Sequence, residues 1–377
     1  PSISPLIDSY VKRLKVQQAI KVGYVWKGKF GMVSKEMLEV YIAPDELKDM
    51  FTKVDEQMIA DFKAAHKGKE FFFDVDPEND KWSELEKMSS YDYLSGYPNE
   101  VFDFYNAELG SETGGNIKDL SAIVLVGWEG DEDQGKFLVK GGNQVLAEMM
   151  MDDIVKAGGR VLLNSAVTKV EQAGDSVSVE TEGGWKYTGK YVVVATPPNV
   201  TRYIVKGLPT DKIKALEMAK YAPIHEICLH LKNFPKGKEL QAVLFVGEDL
   251  DGMINQTGPV LGNPEEGTLV SLTITKSEIL ELDDEAEVKR AGAVLKKVHP
   301  AFDPEKDILG YTIQKWKRGV CKWPPEFAAK YQTVLKEPTG NIYYAGDYTG
   351  DPSLMAASWS GIRAAKGVKE KLSKRGK

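Results

Sequence analysis

Two runs in this chain, YVVVA at Tyr191 to Ala195 and IYYA at Ile342 to Ala345, are apolar at every position or nearly so. A strand with one wet face alternates polar and apolar residues, so a strand without alternation is one covered on both faces. That condition belongs to strands inside an α/β fold, and it constrains this chain more than any other feature of its sequence. Each run leaves through a turn suited to close approach. The first continues into Thr196-Pro197-Pro198, the second into Gly346-Asp347. Beyond Asp347 the segment Leu354-Met355-Ala356-Ala357-Ser358 reads as the first turn of a helix with little bulk. The unpaired N–H groups of such a helix start attract a ligand carrying partial negative charge.

The rest of the chain alternates helical and strand patterns. Residues 34–66 carry helical spacing, with a fresh start at Pro44-Asp45-Glu46. Residues 68–84, charged and proline-containing, read as loop, and Tyr97 to Leu109 as a helix capped by Asn99. From Gly110 to Gly135 the chain is glycine-rich and acidic around one apolar run, SAIVLVGW. FLVKGGNQVLAEMMMDDIVKAGGRVLL then reads strand, Gly-Gly turn, amphipathic helix, Gly-Gly stop, strand. VTKVEQ, SVSVETEGGWKYTG and YVVVATPP form a meander that ends in the first apolar strand. Residues 224–332 mix short strands with the helix DDEAEVKRAGAVLKKVH.

Composition narrows the function classes. The 377 residues are enough for two domains, and 42% hydrophobic with 28% charged residues describes an ordinary globular chain. A net charge of −7 argues against a nucleic-acid surface, and the basic end from Lys366 reads as a solvated helix terminus. No run of 18 apolar residues exists, so no membrane span is expected. Two cysteines, Cys228 and Cys321, make no disulfide framework and point to a reducing compartment, the cytoplasm. The chain starts Pro-Ser-Ile-Ser-Pro, and residues 1–30 alternate charged and apolar positions as in mid-domain, so a fragment or processed product is expected.

Several local signals fail on spacing. Gly130 to Lys136 imitates the start of a phosphate loop, but Phe137 replaces the metal-binding hydroxyl and the middle is acidic. His225 and His230 sit five apart in a strand-like run, which points the imidazoles to opposite faces and argues against a metal. Asn199-Val-Thr and Asn255-Gln-Thr match glycosylation acceptors only in form.

One ordered combination survives: KGGNQVLAEMM, GGRVLLNSAVTKVEQ, SVSVETEGGWKYTGKYVVVATPP, then IYYAGDYTG with its helix. In that order the chain resembles the FAD-dependent amine oxidase superfamily, which also includes carotenoid desaturases and protoporphyrinogen oxidase. The likeness is good over residues 136–206 and 310–372. WPPEFAAKYQTVLKEPTGNIYYAG runs in register with monoamine oxidases, whereas AGDYT and Arg318-Gly-Val-Cys-Lys look more like desaturases. The resemblance implies an α/β fold built from discontinuous segments. Residues 133–206 and 335–377 would form a partial FAD-binding nucleotide fold; 1–132 and 207–334 would form a mixed α+β substrate domain. It also implies an FAD-dependent oxidoreductase taking hydride from a C–H or C–N bond of a small organic substrate. The alternatives are a polyene or carotenoid-type desaturase or isomerase, and a flavin-less binding or scaffold subunit.

The same resemblance implies roles for particular residues. Val167 would lie against the adenine, and Ala195, Thr196 and Pro197 would pass the dinucleotide. Gly346 and Asp347 would meet the ribityl or pyrophosphate region, and the N–H groups of Leu354, Met355 and Ala356 the flavin N1/O2 edge. Arg318 stands where monoamine oxidases bond a cysteine to the flavin, five residues before Trp323-Pro324-Pro325, so FAD is expected to be non-covalent. Gly319 and Leu354 replace the paired aromatic rings, so arylalkylamines are expected to be poor substrates. Glu226 falls near the family's lysine beside flavin N5. Glu226 and His225 are candidate acid/base partners, against the alternative of a partly exposed strand pair. Trp316 either walls the pocket or belongs to the core. No G-x-G-x-x-G occurs in the chain. That phosphate cradle, with the strands that should neighbour YVVVA and IYYA, is expected on an upstream segment or a second chain.

Overall fold

The computed structural model describes residues 5–13, 16–18, 22–33, 45–114, 116–131, 137–236, 240–258, 260–261 and 267–375. The chain's first residues, the helical reading over 34–44 and residues 132–136 of the phosphate-loop imitation lie outside them.

A seven-stranded mixed sheet organises the middle of the molecule. Its order is Ile308–Cys321, Tyr221–Leu231, Thr268–Ile274, Gly252–Asn255, Ala242–Val246, Val22–Trp26 and Lys29–Val33. Neighbours run antiparallel except Ala242–Val246 against Val22–Trp26. Alternation along ICLHL sets the two faces: Ile227, Leu229 and Leu231 are buried, whereas Glu226, Cys228 and His230 face the other way. The buried face is covered by the helix Asp284–Val298, whose Val288, Ala291, Val294, Leu295 and Val298 share a core with it. Asp283 caps that helix by accepting from the N–H of Ala286 at 2.8 Å.

A second core forms among the helices Asp45–His66, Asp80–Lys87, Asn99–Thr113 and Ala122–Glu129. The run SAIVLVGW is the last of these, and Ala122 to Gly127 are all buried. A helix apolar all round sits at the centre of its neighbours. Two expectations are corrected here. Residues 80–84, read as loop, open the helix Asp80–Lys87, because DKWSELEK puts Trp82 and Leu85 on one buried side. Asn79, within the same run, caps it by accepting from the N–H of Trp82 at 3.1 Å. Asn99 is the first helical residue instead of a cap, since Pro98 already holds the extended entry to Asn99–Thr113.

The remaining part contains Phe137–Val139, the helix Gln144–Lys156, the three-stranded meander Val167–Ala173, Ser176–Thr181, Lys186–Gly189, and a parallel pair, Val192–Val194 with Ile342–Tyr344. The helix Leu354–Arg375 follows. IYYA is buried throughout, as expected. YVVVA is not: Val193 is 41% exposed, because among the described residues the pair has no third strand. VLL at Val161 to Leu163, read as a strand, pairs with nothing there, and Leu163 is 74% exposed. A strand exists only beside a hydrogen-bonding neighbour. None of the described helices is long and apolar enough to cross a membrane.

Candidate functional site

The parallel pair brings two strand exits side by side. Ala195, Thr196 and Pro197 leave the carboxyl end of Val192–Val194, and Gly346 and Asp347 leave the same end of Ile342–Tyr344. In α/β sheets that end is where ligands bind. The N–H of Ala345 still reaches the carbonyl of Val194 at 3.0 Å, so the two exits start side by side. Thr196 is held by Thr201, whose hydroxyl donates to its carbonyl at 2.9 Å, while Ala195 and Pro197 stay exposed. Val167 opens the neighbouring meander, half-buried, at a register shift.

Gly346 takes φ 148 and ψ 161, and a Cβ there would lie 2.5 Å from the Tyr348 ring. Only glycine fits. Its N–H donates to the Ser360 hydroxyl at 2.8 Å, which ties the turn to the following helix. Asp347 Oδ1 accepts from the Tyr221 hydroxyl at 2.5 Å and the N–H of Tyr348 at 2.9 Å. Among the described residues no other residue donates to its Oδ2. Burial pushes the Asp347 carboxyl up, against three donors that pull it down: the Tyr221 hydroxyl and the N–H groups of Tyr348 and of Asp347 itself. Burial, then Cys321 and Asp347, pushes the Tyr221 hydroxyl far up, so it stays a donor.

The helix start carries its own carboxylate. Asp351, fully buried, accepts from Trp128 Nε1 at 2.7 Å and the Ser353 hydroxyl at 2.7 Å. Burial raises it to about 6 despite those donors, with Asp347 adding to the rise. Ser353 Oγ in turn accepts from the N–H of Ala356 at 3.0 Å. Of the three N–H groups expected to face a ligand, Ala356 is therefore taken by its own serine cap. Those of Leu354 and Met355 have no partner among the described residues, and the Leu354 side chain is 54% exposed.

The expected acid/base pair is taken apart. Successive strand residues point to opposite faces, so His225 faces the covering helix and meets Glu287 at 3.0 Å, with Lys315 2.8 Å from the same carboxylate. Glu226 lies on the other face, where Thr273 Oγ1 donates to it at 3.1 and 3.2 Å. Burial raises its carboxyl and Thr273 lowers it; no cation pairs with it among the described residues. His230 shares Glu226's face, so the two histidines stand on opposite faces as their spacing predicts. Trp316, opposite Ile224, is 53% exposed and is not core. Arg318 is exposed on an irregular stretch of the same edge strand, and Cys321 is fully buried. Glu226, Trp316 and Arg318 make no recorded contact with Asp347.

Sequence reasoning missed Tyr221, Trp128, Asp351 and Ser353. Asp351-Pro-Ser353 before an apolar helical run is a readable helix-start signal. Tyr221 and Trp128 come from remote segments and leave no local signature.

Residues 13–369 match the family model described as flavin containing amine oxidoreductase. The chain is similar to the flavin-containing amine oxidase of Oncorhynchus mykiss, 26% identical over 297 residues, covering 71% of this chain and 50% of the relative. It is similar to amine oxidase A of Equus caballus, 27% identical over 239 residues, 59% of this chain and 42% of the relative. The nicotine dehydrogenase of Pseudomonas putida is 24% identical over 304 residues, 77% of this chain and 58% of the relative. The chain thus spans about half the length of the curated relatives it matches. Among solved structures, putrescine oxidase bound to putrescine superposes with a TM-score of 0.77 at 16% identity, over 98% of this chain and 87% of that one. Cyclohexylamine oxidase from Brevibacterium oxydans gives 0.72 at 15% identity, over 98% and 84%. At such identities the likeness is one of fold, and it agrees with the α/β, mixed-sheet architecture read from the sequence.

Proposed function

Because the chain belongs to the flavin-containing amine oxidoreductase family, we propose that it works in an FAD-dependent oxidoreductase that removes hydride from a small amine. The observation that carries this reading is the turn at Gly346 and Asp347. A glycine that no side chain can replace brings backbone to the carboxyl end of two parallel strands, beside a carboxylate with one open oxygen. Those residues fit FAD. Asp347 Oδ2 would accept from ribityl hydroxyls, Ala195 to Pro197 would flank the dinucleotide, and Val167 would lie at its adenine end. The N–H groups of Leu354 and Met355 would stabilise negative charge on the ring edge. Bound FAD supplies the hydride acceptor. Arg318 cannot form a thioether, and Cys321 is buried with its thiol pushed up by burial, so the flavin is held without a covalent bond.

Glu226 supports an amine as the substrate class. A desolvated carboxylate without a cation is a counter-charge for an ammonium group. The amine oxidases, putrescine oxidase and cyclohexylamine oxidase among the similar proteins support an amine. Gly319 and Leu354 provide no aromatic cage, which favours aliphatic over arylalkyl amines. We divide the chain as the sequence suggested, with 133–206 and 335–377 on the cofactor and 1–132 and 207–334 on the substrate. The phosphate cradle is assigned to a strand with G-x-G-x-x-G, on an upstream segment or second chain, lying between Ile342–Tyr344 and Val161 to Leu163. The cytoplasm is the proposed location, given two unpaired thiols.

The test is direct. The full-length protein, purified with whatever chain accompanies it, should be yellow, absorbing near about 370 and 450 nm as flavins do. Acid precipitation should release all the colour. A colourless protein that takes up no added FAD would leave only the scaffold reading.

A further inference from the structure

A cavity of about 330 Å³ lies between the helices Pro198–Ile204 and Thr210–Met218 and the edge strand Ile308–Cys321. Its charged walls are Arg202, Glu217, Lys220, Lys317 and Arg318. Arg202 is committed: it bonds the Glu217 carboxylate and the Tyr203 hydroxyl. That leaves Lys220, Lys317 and Arg318 facing one small cleft with no carboxylate partner among the described residues. In a chain of net charge −7, three uncompensated cations around a cavity run against the general balance. Like charges held together cost free energy unless a ligand of opposite sign relieves them.

The backbone explains how they come together. Pairing along the edge strand jumps from Trp316–Ile224 to Val320–Ala222, so Lys317, Arg318 and Gly319 crowd opposite Pro223. A bulge of this kind re-aims side chains. Lys220 is fixed across from them, because its carbonyl accepts from the N–H of Lys322 at 2.7 Å. The next residue, Tyr221, also lines the cleft, and its hydroxyl reaches Asp347. Two features oppose an anion, Glu217 and the C-terminal end of the helix Thr210–Met218. Arg202 neutralises the first, and Lys220 stands just beyond the second.

We propose that this cleft binds the oxyanion group, phosphate or carboxylate, of a small molecule. Arg318 offers a planar fork matched to either group, and the two lysines add charge. The volume suits such a group with a few attached carbon atoms. Tyr203, with the Arg202 guanidinium 4.7 Å from its ring centre, gives an aromatic flank for the remainder. The oxyanion comes either from a phosphorylated ligand or from a carboxylic acid.

Isothermal titration of the full-length protein in excess FAD, which keeps the proposed dinucleotide cradle filled, with inorganic pyrophosphate and separately with glutarate, tests this without a flavin signal. Saturable binding of at least one is expected, weakening as salt is raised. It should weaken by about tenfold or more in the double variant Lys317→Gln, Arg318→Gln. Both residues are exposed, so the fold should survive, and Lys220→Gln provides a second variant from a different element. Lys330→Gln, which touches a lysine paired with Glu326, should change nothing. Tighter pyrophosphate binding marks a phosphorylated ligand and tighter glutarate binding a carboxylic acid. No saturable binding of either, or equal binding by the native and doubly substituted proteins, overturns the proposal.

Discussion

Asp347 and Asp351 stand four residues apart in sequence, and their surroundings give them different tasks. Asp347 keeps one oxygen open, so Asp347→Ala should weaken FAD retention by about 1–3 kcal/mol, the usual loss for a buried polar partner. Equilibrium dialysis against FAD checks this; unchanged affinity with a lowered melting temperature would make the residue a mere turn cap. Asp351 has both oxygens occupied and belongs to the helix start. Its folded value of about 6 lies above the ordinary 3.8. Between those values the folded state holds a proton the unfolded chain has released, so stability falls as pH rises through that window. Asp351→Asn should flatten the melting temperature between about pH 4 and 6. Some slope should remain from Asp55, which burial also raises to about 6 against the hydrogen bond from Tyr105. Gly346-Asp347 was legible because a glycine before a carboxylate at a strand exit has few other uses. Tyr221, which completes it, was not, because a tyrosine opening a strand looks the same whether or not it meets a remote carboxylate.

At the scale of elements, legibility followed whether local pattern and tertiary neighbours agreed. DDEAEVKRAGAVLKKVH has caps, a charge gradient and one apolar side, and it forms the helix Asp284–Val298. SAIVLVGW has no period, so length and neighbours had to decide between strand and helix. The outcome is a helix packed so closely that a Cβ on Gly127 would lie 2.5 Å from the Phe73 ring and 2.7 Å from that of Phe72. Gly127→Ala should therefore cost about 1–3 kcal/mol in a urea melt, although alanine is the better helix former. VLL at Val161 to Leu163 is the opposite case, where the pattern was clear and the neighbour is lacking. Its amides should exchange with deuterium rapidly in a preparation of residues 1–377 alone. They should become protected in the full-length protein with the segment or chain proposed to carry G-x-G-x-x-G. Protection in residues 1–377 alone would contradict the proposed strand order.

For the whole molecule, the fold survives at 16% identity to a solved amine oxidase, which shows how little of it depends on particular side chains. The two strand exits and the Gly346 turn were readable in sequence because close backbone approach admits few residues. The substrate side was not, because a sheet face accepts many side chains and His225 and Glu226 looked like neighbours until their faces were known. Putrescine or cyclohexylamine should bleach the flavin anaerobically at least about tenfold faster than benzylamine if Glu226 and the open cage set selectivity. Fast bleaching by benzylamine would reverse that assignment. The parallel pair also sets an order of events at the ribosome. Val192–Val194 gains its strand partner only when Ile342–Tyr344 emerges, roughly 150 residues later. At a synthesis rate of about 5–20 residues per second, the first strand waits on the order of ten seconds with its edge uncovered. During that interval a nascent chain has a sticky segment and no partner of its own, so chaperone occupancy should peak there and fall once Tyr344 has cleared the exit tunnel.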